Sequence, residues 1–359
     1  MNINKVLVQN PLSILDNSGF DVRTMQHIID CYNEPHRYYH DMGHVKEMLA
    51  YVESFKEHFN PITWEAIQLA IVWHDAVYDP SSKTNEADSY KDFVDCWRDM
   101  DEKYLYMEKW KKIIPLVLEL IMVTRNHEYD PNMPLHLKIM IEADLERFKG
   151  PFEQFWQNTV RIFKEYSMAD WGLFKPGRIA FLESYADKVS KIVGIEGYNN
   201  CKASAIVLSV WEPKIAIYAG SFDPFHKGHQ RIKEKAERIF DKVIIARGQN
   251  PSKPPHKYDM PKSLYATNQV EEYVGWITNY IKSKNYPVTL IRGLRNGSDL
   301  NGELNFERYL KDLMPEIQIV SIFADADIEH ISSSGIKEMQ KSADEGDTMP
   351  DYLIDHIVK

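Results

Sequence analysis

The chain has 359 residues, more than one hydrophobic core ordinarily supports, so two domains of ordinary size are expected. With 44% hydrophobic and 27% charged residues it has the composition of a folded globular protein and not of a disordered chain. A formal net charge of -10 excludes a nonspecific binder of nucleic acid, which needs excess Lys and Arg, yet leaves room for local basic pockets that take small phosphorylated ligands.

Cys31, Cys96 and Cys201 lie far apart and form no C-x-x-C pair. Neither a disulfide framework nor a zinc ribbon is indicated, and a reducing cytoplasm is the expected location. Residues 1–10 lack the apolar core of a signal peptide, and no run approaches the roughly 18 apolar residues of a membrane span.

From Val22 to about Val210 apolar residues recur at spacings of three and four, as in Val45, Met48, Leu49 and Val52. This predicts an all-α bundle over residues 1–212. Its most apolar stretch, Ile113 to Val123, is interrupted by Pro115 and Glu119 and reads as a buried helix. At Glu212-Pro213 the pattern changes. Lys214 to Tyr218 reads as a strand ending in the turn Gly220 to Pro224. A helix (about Gly228 to Phe240), a strand (Lys242 to Ala246), a helix (about Asn268 to Lys284) and a strand (Val288 to Arg292) follow. A further helix (about Gly302 to Leu313) and strand (Ile317 to Phe323) complete an alternation that predicts a doubly wound, Rossmann-like parallel α/β sheet over residues 213–359.

Chemistry-bearing residues concentrate in both parts. In the second, the first strand runs into Gly220-Ser221-Phe222-Asp223-Pro224-Phe225-His226-Lys227-Gly228-His229. Glycines let a backbone approach phosphate closely, and a following helix offers unpaired N–H groups to an anion. His226 and His229, three apart, are expected to face one ligand. Arg292 and Arg295 flank a glycine at the end of a parallel strand, where such sheets bind ligands. Ser332, Ser333 and Ser334 are placed to cap a helix starting near Gly335.

In the first part, His40 and His44 are expected on one face of a helix. His74-Asp75 ends an apolar helical segment, and Asp144 follows in Glu142-Ala143-Asp144. Imidazole with carboxylate suits Mn, Fe, Co, Ni or Zn better than Ca. A buried Asp beside a His is costly without a cation. His44 is the favoured first ligand and His40 the alternative or a phosphate contact; His127 is either a member of the site or an exposed loop residue.

Gly220 to His229 resembles the H-x-G-H signature of the nucleotidyltransferases. With Asn250-Pro251-Ser252-Lys253, Ile291-Arg292-Gly293-Leu294-Arg295, Asp299, Glu303 and Ile331 to Ser334, residues 214–340 resemble the phosphopantetheine adenylyltransferases. The resemblance implies ATP with Mg2+ and a 4'-phosphopantetheine acceptor. It implies acceptor and reacting-phosphate contacts by Ser221, Lys253 and Arg292, α-phosphate stabilisation by His229, and an ATP set of Phe222, His226, Arg295, Glu303 and Ser332 to Ser334. The nucleophile is already an anionic phosphate, so no general base is needed and cations are expected to neutralise the charge. Gly302 replaces a customary aromatic, and Asn305 to Leu310 departs from the family's acceptor pocket. Nicotinamide mononucleotide, whose adenylyltransferases share H-x-G-H, is therefore the alternative acceptor.

The order H, H-D, D on helices, with Tyr39 to His44, His74 to Tyr78, Asn85-Glu86 and Ala143-Asp144-Leu145, resembles the HD superfamily of metal-dependent phosphohydrolases. That implies a metal held by His44, His74, Asp75 and Asp144, with Asp75 and Glu86 as orienting groups, Arg37, Lys83 and Arg125 as phosphate contacts, and a phosphate ester or nucleotide as substrate. The joint expectation is a bifunctional enzyme of small phosphorylated molecules, homo-oligomeric through residues 213–359. The alternatives are a hydrolase with a nucleotide-sensing second domain and an assembly protein.

Overall fold

The computed structural model describes residues 11–295, 297–328, 330–344 and 357–358, with the side chains of 298, 343 and 344 left aside. The reading of residues 1–10 lies outside them. Among the described residues, α-helices come first: α1 Ser13–Ser18, α2 Val22–Tyr32, α3 Met42–Glu53, α4 Pro61–Trp73, α5 Asn85–Arg98, α6 Glu102–Leu105, α7 Trp110–Thr124, α8 Leu135–Asp144, α9 Phe152–Glu165, α10 Trp171–Val193 and α11 Ile195–Val210. Strands and helices then alternate: β1 Ile215–Gly220, α12 Lys227–Glu237, β2 Lys242–Gln249, α13 Lys262–Thr267, β3 Val270–Val274, α14 Ile277–Lys282, β4 Thr289–Leu294, α15 Gly297–Leu313, β5 Gln318–Phe323 and α16 Ser333–Asp344.

The chain forms two compact units, one of residues up to 165 with 177–209, the other of 166–176 with 210 onward. Among the described residues, no helix is long and apolar enough to cross a membrane.

In the helical unit, α4 is the buried centre. Asn60 caps it by accepting from the Ile62 and Thr63 N–H groups, both at 3.0 Å, and Pro61 supplies a preset first turn. Ala66, Ile67 and the run Leu69 to Trp73 are all fully buried, so α4 is covered on every side. Helix α3 is instead amphipathic: His44, Val45, Met48 and Val52 make its buried stripe, and Asp41 caps its start through the His44 N–H at 3.1 Å. His40 therefore precedes the helix and does not share a helical face with His44, which corrects the expectation from their spacing.

The second unit is a five-stranded parallel sheet in the order β3-β2-β1-β4-β5. Central β1 is almost wholly buried, as a strand covered on both faces must be. The winding reverses between β1 and β4, which opens a crevice at their carboxyl ends. The helix expected over Asn268 to Lys284 is replaced by edge strand β3, a turn at Gly275 (φ +89°) and the short α14. An edge strand exposes part of its surface, so Val270 to Val274 carries two glutamates and lacks a continuous apolar run. Pairing with β3 extends β2 to Gln249, beyond the expected end at Ala246. Helix α15 starts at Gly297, earlier than expected. The strand pattern starts after Glu212-Pro213, yet residues 166–176 also join this unit. Lys242 Nζ donates to the Ser167 and Ala169 carbonyls, and Asp170 accepts from Tyr286 Oη at 2.6 Å and Gln269 Nε2 at 3.0 Å.

Candidate active sites

A cavity of about 480 Å³ opens at the carboxyl ends of β1 and β4, where the winding reverses. It is lined by Ser221, Phe222, His226, His229, Arg292, Arg295, Glu303 and Ser332 to Ser334. Lys253 is not among its lining residues; it is exposed on the loop after β2.

The loop from Gly220 to His229 is shaped by contacts that only small residues permit. A Cβ on Gly220 would lie 2.8 Å from the Phe222 ring, and one on Gly228 2.9 Å from the His226 ring. Phe222 is held at φ +47°, an uncommon conformation for an aromatic, with its ring buried against Tyr218, Phe225 and His229. His226 caps α12: its Nδ1 accepts from the Gly228 N–H at 3.1 Å, and its own N–H donates to His229 Nδ1 at 3.3 Å. That second bond fixes the His229 tautomer with hydrogen on Nε2. Burial, reinforced by His226 and the Arg295 guanidinium, holds His229 well below the usual imidazole range. His229 is thus a neutral Nε2–H donor.

The cleft's arginines are already paired. Arg292 forks onto Glu303 at 2.7 and 2.6 Å and lies 5.1 Å from the Phe306 ring centroid. Arg295 forks onto Asp299 at 2.8 and 3.0 Å. Opposite them, Ser332 Oγ accepts from the Gly335 N–H at 3.0 Å, capping α16, and Ser333 Oγ donates to the Pro224 carbonyl at 3.0 Å. Sequence reasoning missed the braces beneath. Asp223 accepts from the Lys257 and Tyr258 N–H groups, both at 2.9 Å, and from Lys337 Nζ at 3.0 Å. Buried Arg247 donates to the Ser221 carbonyl at 3.3 Å. An arginine inside the apolar strand Val243 to Ala246 and its continuation was the available signal.

Comparison with known proteins bears on this cleft. A cytidylyltransferase-like family model matches residues 217–339. A phosphopantetheine adenylyltransferase from Carboxydothermus hydrogenoformans is 37% identical over 134 residues, 35% of this chain and 82% of that protein. The enzymes of the same name from Alkaliphilus metalliredigens and Heliobacterium modesticaldum are 31% and 35% identical over 155 and 147 residues, covering 98% and 85% of those proteins and 41% and 39% of this chain. Through its second domain, the chain belongs to the phosphopantetheine adenylyltransferase family. That domain is a nucleotidyltransferase.

The matched share is about the size of the transferase domain, and the helical unit carries a separate cluster. His44 on α3, His74 at the end of α4 with Asp75 after it, and Asp144 at the end of α8 converge. His44 Nε2 lies 2.9 Å from Asp144 Oδ1, and His127 Nε2 2.8 Å from Asp144 Oδ2. His127, at φ +49°, faces the cluster instead of solvent. His74 Nδ1 lies 2.8 Å from the Ile71 carbonyl and must donate to it. The Nε2 lone pair of a neutral His74 then points at carboxylates: Asp75 Oδ2 is 3.0 Å away and Asp144 Oδ1 3.9 Å, with no aligned hydrogen bond at Nε2. Acceptors facing acceptors need a cation between them, a proton or a metal. Burial opposes a charged ring, but Asp75 and Asp144 outweigh it and raise His74 to about 9.

His40 stands apart. Its Nδ1 pairs with Glu165 at 2.7 Å, and Glu165 also accepts from the Tyr38, Tyr39 and His40 N–H groups and from Tyr78 Oη. Glu165, a buried carboxylate on α9, was not foreseen. Arg37, expected to contact phosphate, is buried and committed to Glu34 and to the Asp75 and Ala76 carbonyls. It fixes the backbone of the His-Asp pair. Arg125 donates to the Lys83 carbonyl on the exposed surface at 3.3 Å, and Glu86 lies in the first turn of α5.

Proposed function

We propose that the chain is a bifunctional enzyme whose second domain transfers the adenylyl group of ATP to 4'-phosphopantetheine, giving dephospho-CoA and pyrophosphate. The observation that carries this reading is His229, tautomerically fixed and neutral in a cleft at the switch point of the sheet. An acceptor phosphate oxygen attacks the α-phosphorus and pyrophosphate departs. His229 Nε2–H donates to the α-phosphate oxygen on which charge develops, and the α16 start with Ser332 to Ser334 and Arg295 take the remaining phosphates. Glu303 and Asp299 are engaged by Arg292 and Arg295, and magnesium, held by the triphosphate, would supply charge neutralisation on the departing pyrophosphate. Lys253 acts only if its loop brings it over the cleft. Incubation with ATP and each acceptor tests this, since NAD formed without dephospho-CoA overturns it. The second acceptor is carried by the shared H-x-G-H and by the departure at Gly302, which stands exposed where the family carries an aromatic. ATP binding without any pyrophosphate release would instead make the domain a sensor.

For the helical domain we propose a metal-dependent phosphohydrolase. His44, His74, Asp75 and Asp144 would fit a divalent transition metal, because imidazole and carboxylate donors converge and the metal would take the place of the proton that His74 holds toward the carboxylates. Such a metal supplies a Lewis acid for a phosphoryl oxygen and a water of lowered pKa. The chain's own residues hold the site: Arg37 fixes the Asp75 backbone, His127 orients Asp144, and Glu165 holds His40 beside Tyr78. His74→Ala and Asp75→Ala should lose bound metal and hydrolysis of phosphate esters together, and undiminished metal would overturn the assignment.

A further inference from the structure

The loop that carries Lys253 and the first turn of α16 meet on one buried carboxylate beneath the cleft. Asp223 Oδ1 accepts from the Lys257 and Tyr258 N–H groups, and Asp223 Oδ2 accepts from Lys337 Nζ. The Tyr258 carbonyl in turn accepts from Arg247, which also donates to the Ser221 carbonyl. Ser333 and Lys337 are four apart on α16 and so share a face. Ser333 holds the Pro224 carbonyl while Lys337 holds Asp223, so this turn is pinned to two consecutive residues of the loop from Gly220 to His229. The same turn begins among Ser332 to Ser334, which line the cleft.

On the other side of Asp223, Lys253 stands four residues before Lys257. The near end of its loop is held by Gln249, whose Nε2 donates to the Asn250 carbonyl at 3.0 Å and to the Lys253 and Pro254 carbonyls at 3.4 Å. With both ends held, the position of Lys253 follows from how its anchors sit. Burial opposes the Asp223 charge, but the Tyr258 N–H and the Lys337 ammonium outweigh it and hold the carboxyl below its usual range. The bonds at this joint are therefore charge-assisted and strong.

We propose that Lys337, acting through Asp223, is a positioning residue for adenylyl transfer, joining the α16 turn that takes the triphosphate to the loop that brings Lys253 to the reacting phosphates. This rests on the reading of Ser332 to Ser334 and Lys253 as phosphate contacts. An anion at the start of α16 draws that turn toward the cleft. Lys337, one turn along a stiff helix, shifts with it, and Asp223 passes the shift to Lys257 and Tyr258. The exposed loop yields, and Lys253 moves over the cleft.

Amide hydrogen exchange of the full chain with ATP and magnesium, without any acceptor, tests the joint whatever the acceptor is. ATP should slow exchange at Lys257 and Tyr258 by about fivefold in the wild type and leave it unchanged in Lys337→Met. The Ser333 and Ser334 amides should be slowed in both, which shows that the variant keeps α16 folded and binds ATP. In the transfer assay Lys337→Met should lower kcat by about tenfold with the KM for ATP little changed. Lys337→Arg should restore both readouts. Adding Lys337→Met to Lys253→Ala should cost nothing further, because the two residues act in one chain. The proposal is overturned if ATP slows Ser333 and Ser334 but not Lys257 and Tyr258 in the wild type, or if the loop effect persists in Lys337→Met. A double variant slower than Lys253→Ala by the full Lys337→Met factor overturns it as well. ATP that protects neither segment would sink the phosphate-contact reading, and this proposal with it.

Discussion

The transferase cleft and the histidine–aspartate cluster of the helical unit both gather charge at the ends of regular elements, but they balance it in opposite ways. In the cleft the charges are matched within the domain: Arg292 with Glu303, Arg295 with Asp299, and His229 neutral with its Nδ1 accepting from the backbone. In the cluster His74, raised to about 9, holds a proton toward Asp75, and Asp144 is shared by His44 and His127. Ligand in the cleft has to displace arginine–carboxylate pairs, whereas a metal in the cluster has to displace the His74 proton. The two domains should therefore respond differently to ligand, metal and pH.

The largest effect is expected at His229. His229→Ala removes the donor to the developing charge and should lower kcat of adenylyl transfer by about 10²–10³, with a smaller change in the KM for ATP. An unchanged kcat would break the contrast, leaving the cleft a binding site only. Next is metal. Manganese or zinc at about 100 times its Kd should stabilise the helical domain by about 2.7 kcal/mol, read as a rise in its melting temperature. Asp75→Asn should abolish that rise and, because His74 loses the carboxylate that raises it, should also lower the metal-free melting temperature.

Acid sharpens the comparison further. Because the folded pKa of His229 lies below its unfolded value, its stability contribution is complete above about pH 6.5 and is lost as pH falls toward the folded value. The transferase domain should lose up to about 1.4 kcal/mol per pH unit in that window from this residue. His229→Gln should flatten that slope in chemical denaturation at pH 5 to 7, and an unaltered slope would show that His229 does titrate in the fold. The smallest effect is at Ser332. Loss of the α16 cap in Ser332→Ala should cost about 1 kcal/mol and raise the KM for ATP.

Much of the cleft was legible because its residues cluster in short segments at strand ends, where hydrophobic runs stop at glycine. Ser221, His229, Arg295 and Ser332 could be found that way. Asp223 and Lys337 could not, since their pairing depends on segments 34, 35 and 114 residues away in sequence closing on Asp223. Edge strand β3 was misread because its exposed surface leaves no alternating apolar signature. In the helical unit His74-Asp75 was visible as polar residues ending an apolar helix. Glu165 was not, because it lies 125 residues from the His40 it holds.

The sequence by itself determined the helical first part, the change to strand–helix alternation after Pro213, the H-x-G-H loop and the His-Asp doublet. Hydrophobic period and turn chemistry are local properties, written within a dozen residues. Only the tertiary structure decided that His44 and not His40 meets His74, that His127 turns inward and that His229 is a neutral donor. Protonation and ligand geometry depend on burial and on partners from other elements, and those are set by packing.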